Sequence, residues 1–253
     1  MQILQIPVLR DNYIYLIHTE GSDQTAVIDP AEAAPVLSAL RERGWRLTHI
    51  FNTHHHADHV GGNLELQHAT GARIHGASGP GEPIPGLDEP VSEGLRIAFG
   101  EMDVEVWAVP GHTRHHLAFW LPGAGALFCG DTLFGMGCGR LLGGTAEQLW
   151  QSLDRLRRLP ADTLIYCAHE YTQNNGRFAA SVEPDNSALQ ARLREVDRLR
   201  SCAAATVPFR LEEEWATNPF LRPESPTIRA SLGLPDASDQ AVFTELRRRK
   251  DLF

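Results

Sequence analysis

Residues 51–63 read FNTHHHADHVGGN and place four histidines and an aspartate within the six positions from His54 to His59. Imidazole nitrogens and carboxylate oxygens are suitable donors for a zinc-type cation. In an extended chain, side chains at i and i+2 share a face, so His54 and His56 can approach one metal while His55 points away. Asp58 and His59 follow where the chain turns toward a helix and can face a second metal. Three further candidates close separate strand-like runs: His112 after DVEVWAV, Asp131 in ALFCGD and His169 after TLIYCA. Strand ends are where α/β sheets usually assemble their sites. Five histidines and two carboxylates then make a two-metal site with one bridging aspartate. Such a pair leaves room for water, as catalytic sites do and closed structural sites do not.

The other histidines have plainer readings. His18, His49, His68 and His75 are expected to be structural or solvent-facing. His55, His115 and His116 lie beside ligands, where they could steady the ligand rings.

These residues need strands to carry them. Runs 12–18, 25–29, 48–53, 103–109, 126–131 and 163–168 have strand composition and are bounded by turn residues. Asp29-Pro30 predicts the opening of a helix that runs to Gly44, and Thr145-x-x-Gln148 is a capping box leading toward Pro160. After residue 170 the strand signal fades. Ser187-x-x-Gln190 predicts a helix start, and residues 241–253 form a last amphipathic helix. The sequence therefore divides into an α/β domain over 1–169 and a helical domain over 170–253.

Composition narrows the function. The formal charge of −9 disfavours non-specific binding to nucleic acid or an anionic membrane. Cys129, Cys138, Cys167 and Cys202 are widely spaced, which suits neither a disulfide framework nor a thiolate zinc site. The first residues carry Arg10 and Asp11 and no continuous apolar run, unlike a signal peptide or membrane span. A cytoplasmic monomer with no nucleic-acid or membrane partner is expected.

THHHADH, the downstream GH, GDT and CAHE resemble the metallo-β-lactamase superfamily over the first two thirds of the chain. GDTLFGMGCGRL, YCAHEYTQNN, VEPDN, TVP, NPFLR and the terminal RRRKDLF extend the likeness over the whole length, to the glyoxalase II family of hydroxyacylglutathione hydrolases. The resemblance implies a four-layer αββα sandwich followed by a small α-helical domain that binds glutathione. It implies that His54, His56 and His112 hold one metal and that Asp58, His59 and His169 hold the other. Asp131 would bridge them, with water or hydroxide as the second bridge. Zinc is the expected ion, and iron or manganese could take its place. Arg140, Tyr171, Arg247 and Lys250 would grip glutathione; the last two are i and i+3 and share a helix face. Leu142 stands where many members have an aromatic side chain, and Gly143 where an acidic one is common.

The implied reaction is hydrolysis of a 2-hydroxyacylglutathione thioester, with lactoylglutathione giving glutathione and D-lactate as the second step of methylglyoxal detoxification. Asp58 and Asp131 are the expected catalytic carboxylates. The leaving thiolate has a conjugate pKa near about 8.5, so no separate general acid is required. Two alternatives use the same motif: a mononuclear-iron glutathione persulfide dioxygenase and a non-catalytic metal-binding protein. The helical segment with Arg247 and Lys250 favours the hydrolase over the first. Against the second stands a bridged ligand set that leaves room for water.

Overall fold

The computed structural model describes residues 1–253, and the chain falls into two compact units. The first comprises 1–108 and 115–130, the second 109–114 and 131–253. The three boundaries, at 108/109, 114/115 and 130/131, fall within a few residues of the candidate ligands His112 and Asp131.

In the first unit, β1 (Gln2–Val8), β2 (Asn12–Thr19) and β3 (Gln24–Ile28) form an antiparallel meander. Helix α1 (Ala33–Arg43) then crosses to β4 (Leu47–Phe51), which pairs parallel with β3. Helices α2 (Ala57–Val60) and α3 (Asn63–Thr70) lead to the parallel strands β5 (Arg73–Gly76) and β6 (Glu89–Pro90). β7 (Arg96–Phe99), β8 (Met102–Ala108), β9 (Leu117–Leu121) and β10 (Ala126–Gly130) make a second antiparallel meander.

Every residue of β2 is buried, which identifies it as a strand covered on both faces. Ile14 and Leu16 join Val36, Leu40 and Leu66 in the core under α1 and α3. On the opposite face Tyr15 meets Phe128 edge-on at 5.4 Å, and Phe51 meets Phe119 at 4.9 Å. These aromatic contacts join the two sheets of this unit face to face.

The second unit opens with the tight hairpin β11 (Leu133–Phe134) and β12 (Gly137–Cys138). Helix α4 (Ala146–Leu156) precedes β13 (Leu164–Cys167), followed by α5 (Thr172–Val182) and α6 (Ser187–Ser201). The two-residue β14 (Phe209–Arg210) pairs with β13. Helices α7 (Leu211–Thr217), α8 (Pro226–Leu232) and α9 (Asp239–Leu252) complete the chain. The VEPDN and NPFLR segments meet here, because buried Glu183 pairs with Arg222 and accepts from Ser225 Oγ.

Two helix starts differ from expectation. α1 begins at Ala33, and Asp29 caps nothing: its carboxylate binds the loop after β4, and its backbone is left-handed at φ 48°. α6 is capped by Asn186, whose side chain accepts from Leu189 N at 3.1 Å, so the start lies one residue before the Ser187 signal. The Thr145 box is present as expected, with Gln148 N donating to Thr145 Oγ1 at 3.2 Å and Thr145 N to Gln148 Oε1 at 2.9 Å. Removing an N-cap hydroxyl costs about 1 kcal/mol. Thr145→Ala should therefore lower the thermal midpoint by about 2–4 °C for a chain of this size. A calorimetric scan with an unchanged midpoint would show that the cap contributes nothing.

Candidate metal centre

The FNTHHHADHVGGN loop is closed at both ends by its own asparagines. Asn63 Nδ2 donates to Asn52 Oδ1 at 2.7 Å, and Asn52 Nδ2 returns a bond to Asn63 Oδ1 at 3.2 Å. Gly61 and Gly62 let the chain pass directly over α1's approach; a Cβ on either would overlap the carbonyls of Ala31 or Pro30. β4 ends at Phe51, so His54 and His56 project from this loop rather than from a strand. They still share a face, with His54 Nε2 3.0 Å from His56 Nδ1. His55 points elsewhere, with Nδ1 3.8 Å from Glu82 Oε2.

Asp29 organises this loop. Its carboxylate accepts from Thr53 N and Thr53 Oγ1, both at 2.7 Å, and from His59 Nδ1 at 3.0 Å. Thr53 Oγ1 donates to Asp29, so it accepts from His54 Nδ1, 3.0 Å away. Both rings are thereby fixed with the proton on Nδ1 and a lone pair on Nε2. The ligand atoms of Asp29, His54 and His59 lie within 4.8 Å of one another. His59 Nε2 faces Asp58 Oδ2 at 3.7 Å, and Asn12 Nδ2 holds that same oxygen at 3.1 Å.

The second unit repeats the arrangement. Asp131 stands between two imidazoles, with His112 Nε2 3.4 Å from Oδ2 and His169 Nε2 3.3 Å from Oδ1. His112 Nδ1 donates to the Arg140 carbonyl at 2.8 Å, which again leaves Nε2 with a lone pair toward a carboxylate. His54, His59, His112, Asp131 and His169 are all buried. Two acceptors facing each other out of water repel unless a cation lies between them, so this donor set fits divalent metal.

Among the other expected site residues, Tyr171 stacks on His169 at 4.8 Å with the rings 1° from parallel, and it is 37% exposed. Arg140 is exposed. Leu142 is 55% exposed and donates its N–H to the His112 carbonyl at 2.9 Å. Arg247 and Lys250 differ in depth. Arg247 is 3% exposed and donates to Cys138 O at 2.9 Å and Asp251 Oδ1 at 2.8 Å. Lys250 is half-buried, donates to Asn174 Oδ1 at 2.5 Å, and lies over the Phe178 and Phe253 rings. Burial, and then Arg247, depress its pKa to about 8.

His18 stacks on Trp45 at 4.4 Å and bonds Thr25. His49 stacks on His75, whose pKa burial lowers to about 4, so His75 is neutral at pH 7. His68 is exposed. His116 stacks on His54 at 4.6 Å, and the His115 N–H binds Glu82 at 3.0 Å.

Asp29 and Asn12 were not selected from sequence as site residues. A signal existed for Asp29, since it ends the strand TAVID just as Asp131 ends ALFCGD. Its cap-like place before a proline concealed that.

Two known families match successive parts of the chain. Residues 8–169 match the metallo-β-lactamase superfamily, and residues 170–253 match the hydroxyacylglutathione hydrolase C-terminus. A hydroxyacylglutathione hydrolase of Methylococcus capsulatus is 59% identical, covering 100% of this chain and 99% of that protein. One from Rhodospirillum rubrum is 50% identical with the same coverage. The crystal structure of ETHE1 from Myxococcus xanthus aligns at TM-score 0.71 and 26% identity, over 98% of this chain and 90% of its own. Mixed sheets followed by C-terminal helices are thus the metallo-β-lactamase fold, and its His/Asp clusters make a divalent-metal site. The chain belongs to the hydroxyacylglutathione hydrolase, or glyoxalase II, family of the metallo-β-lactamase superfamily.

Proposed function

We propose that this protein hydrolyses 2-hydroxyacylglutathione thioesters, lactoylglutathione foremost, to glutathione and a 2-hydroxy acid. The observation that carries this reading is whole-length identity to named hydroxyacylglutathione hydrolases, helical segment included. The match of residues 170–253 to the hydroxyacylglutathione hydrolase C-terminus favours the hydrolase over a bare metal-binding protein or a dioxygenase. Residues 1–169 act as the catalytic domain and residues 170–253 as the glutathione-binding domain.

Two zinc ions are proposed, with iron or manganese able to replace them. His54, His56 and His112 would hold one, Asp58, His59 and His169 the other, and Asp131 would serve both. When bound, such a pair supplies hydroxide near neutral pH and polarises the thioester carbonyl. Asp29 keeps the Nε2 lone pairs of His54 and His59 turned to the site, and the Arg140 carbonyl does so for His112. Asp58, steadied by Asn12, orients the attacking water. The glutathione thiolate leaves without a proton donor, given its conjugate pKa of about 8.5.

Tyr171, Leu142 and Arg140 are proposed to line the glutathione groove, with Leu142 giving apolar contact where a ring is common. Of the basic pair, Lys250 is the one placed to meet a carboxylate arriving from solvent, with the buried Arg247 behind it. The protein acts as a monomer in the cytoplasm, where its four free cysteines stay reduced. No helix is long and apolar enough to cross a membrane.

Purified metal-replete protein should consume lactoylglutathione, followed at the thioester absorbance, with D-lactate formed in equal amount. Failure of that turnover would remove the assignment. Lys250 adds a pH signature. A carboxylate ligand favours the protonated amine, and the free amine loses its proton as pH rises through about 8. The KM for lactoylglutathione should therefore rise between pH 7 and 9, and Lys250→Arg should flatten the rise because guanidinium stays charged. A KM independent of pH in the wild type would show that Lys250 does not meet the substrate.

A further inference from the structure

The β11–β12 hairpin joins two limbs of the metal centre. Asp131 lies just before it, and Arg140, whose carbonyl orients His112, lies just after. Gly139 N donates to Thr132 O at 3.2 Å and closes the base. A Cβ on Gly139 would overlap the Asp131 carbonyl, so the two limbs touch backbone to backbone. Any tilt of the hairpin therefore moves the Asp131 carboxylate and the acceptor for His112 together.

The tip is held by α7 and the residue that follows it. Met136 sits at φ 55°, a left-handed conformation that side chains other than glycine disfavour. Its N–H donates to Glu214 Oε2 at 2.9 Å. Asn218 Nδ2 donates to the same oxygen at 2.7 Å and to Gly137 O at 3.0 Å. Asn218 Oδ1 faces the other way and caps the next turn through Phe220 N at 2.9 Å. Glu214 is fully buried and paired with Arg192. Hydrophobic side chains of similar volume stabilise a core as well as a buried ion pair does, or better. What the carboxylate adds is direction, because it fixes one backbone N–H and one amide at the strained tip.

We propose that Glu214 and Asn218 are positioning residues for the metal centre: by fixing the hairpin tip they set the Asp131 carboxylate and the carbonyl that orients His112. This rests on the reading of Asp131 and His112 as metal ligands. It gives the asparagine of NPFLR a role in the chemistry and ties the helical segment to the site through backbone geometry as well as through substrate contact.

The test compares Glu214→Gln and Asn218→Ser with wild type and with Ser238→Ala, a control that loses the cap of α9, whose hydroxyl accepts from Ala241 N at 3.2 Å and bonds neither α7 nor the hairpin. Serine can still cap the turn after position 218, so Asn218→Ser decides the matter if Glu214→Gln does not fold. Zinc affinity is read by competition with a chromophoric chelator, kcat and KM with lactoylglutathione, and folding by circular dichroism and thermal melting. Both hairpin variants should bind the weaker zinc at least about tenfold less tightly, the scale for losing a group that orients a ligand. Their kcat at saturating zinc should fall about tenfold, with KM within about twofold of wild type. Ser238→Ala should melt lower with zinc affinity and kcat unchanged. Folded hairpin variants with wild-type zinc affinity and kcat would overturn the proposal and leave the network a purely structural one. Wild type that binds one zinc or leaves the thioester intact would overturn the functional reading instead.

Discussion

A neutral imidazole nitrogen facing a carboxylate oxygen is an unfavourable contact, and this chain makes it in both of its units, at a partly exposed Asp58 and at a buried Asp131. His59 Nε2 faces Asp58 at 3.7 Å, and His112 Nε2 faces Asp131 at 3.4 Å. In each case the other ring nitrogen is committed, to Asp29 or to the Arg140 carbonyl, so the ring cannot escape by changing tautomer. A cation between the two groups relieves the arrangement. Much of the surrounding structure serves to keep these contacts in place.

In the first unit the means is a buried carboxylate that collects three hydrogen bonds from one loop. Asp29 bonds Thr53 twice and His59 once, and through Thr53 it reaches His54. The reciprocal Asn52–Asn63 pair closes the loop, so the histidines are carried by hydrogen-bonded backbone rather than by regular structure. In the second unit the means is a hairpin whose backbone groups are taken by helix side chains, Glu214 and Asn218 at the tip and Arg247 at Cys138. Both solutions spend buried hydrogen bonds on backbone and ring positions, which keeps ligands fixed while substrate comes and goes.

Local patterns in the sequence carried much of this. The strand composition that marks β2, β4, β8, β10 and β13 is local, as is the Thr145 box, and each stands within a residue or two of its expected bounds. The i, i+2 argument paired His54 with His56 even though the chain there is not a strand. What the pattern did not show is non-local. Asp29 looks like a helix cap until its partners at 53 and 59 are known, 24 and 30 residues away. Arg247 and Lys250 share a helix face as their spacing requires, but spacing says nothing about depth, and one is buried while the other is only half so. The short strands β11 and β12 have two residues each, too few for any period to register.

If opposed lone pairs and carboxylates are the constraint around which the structure is built, the protein should be strained when its site holds no cation and relieved when it does. Calorimetric titration of zinc into chelator-stripped protein, with melting followed on the same samples, tests this directly. Two ions per chain should bind, and the thermal midpoint should climb with each, since a ligand at about a hundred times its Kd stabilises by about 2.7 kcal/mol. Saturation at one ion, or melting that is indifferent to zinc, would contradict the account.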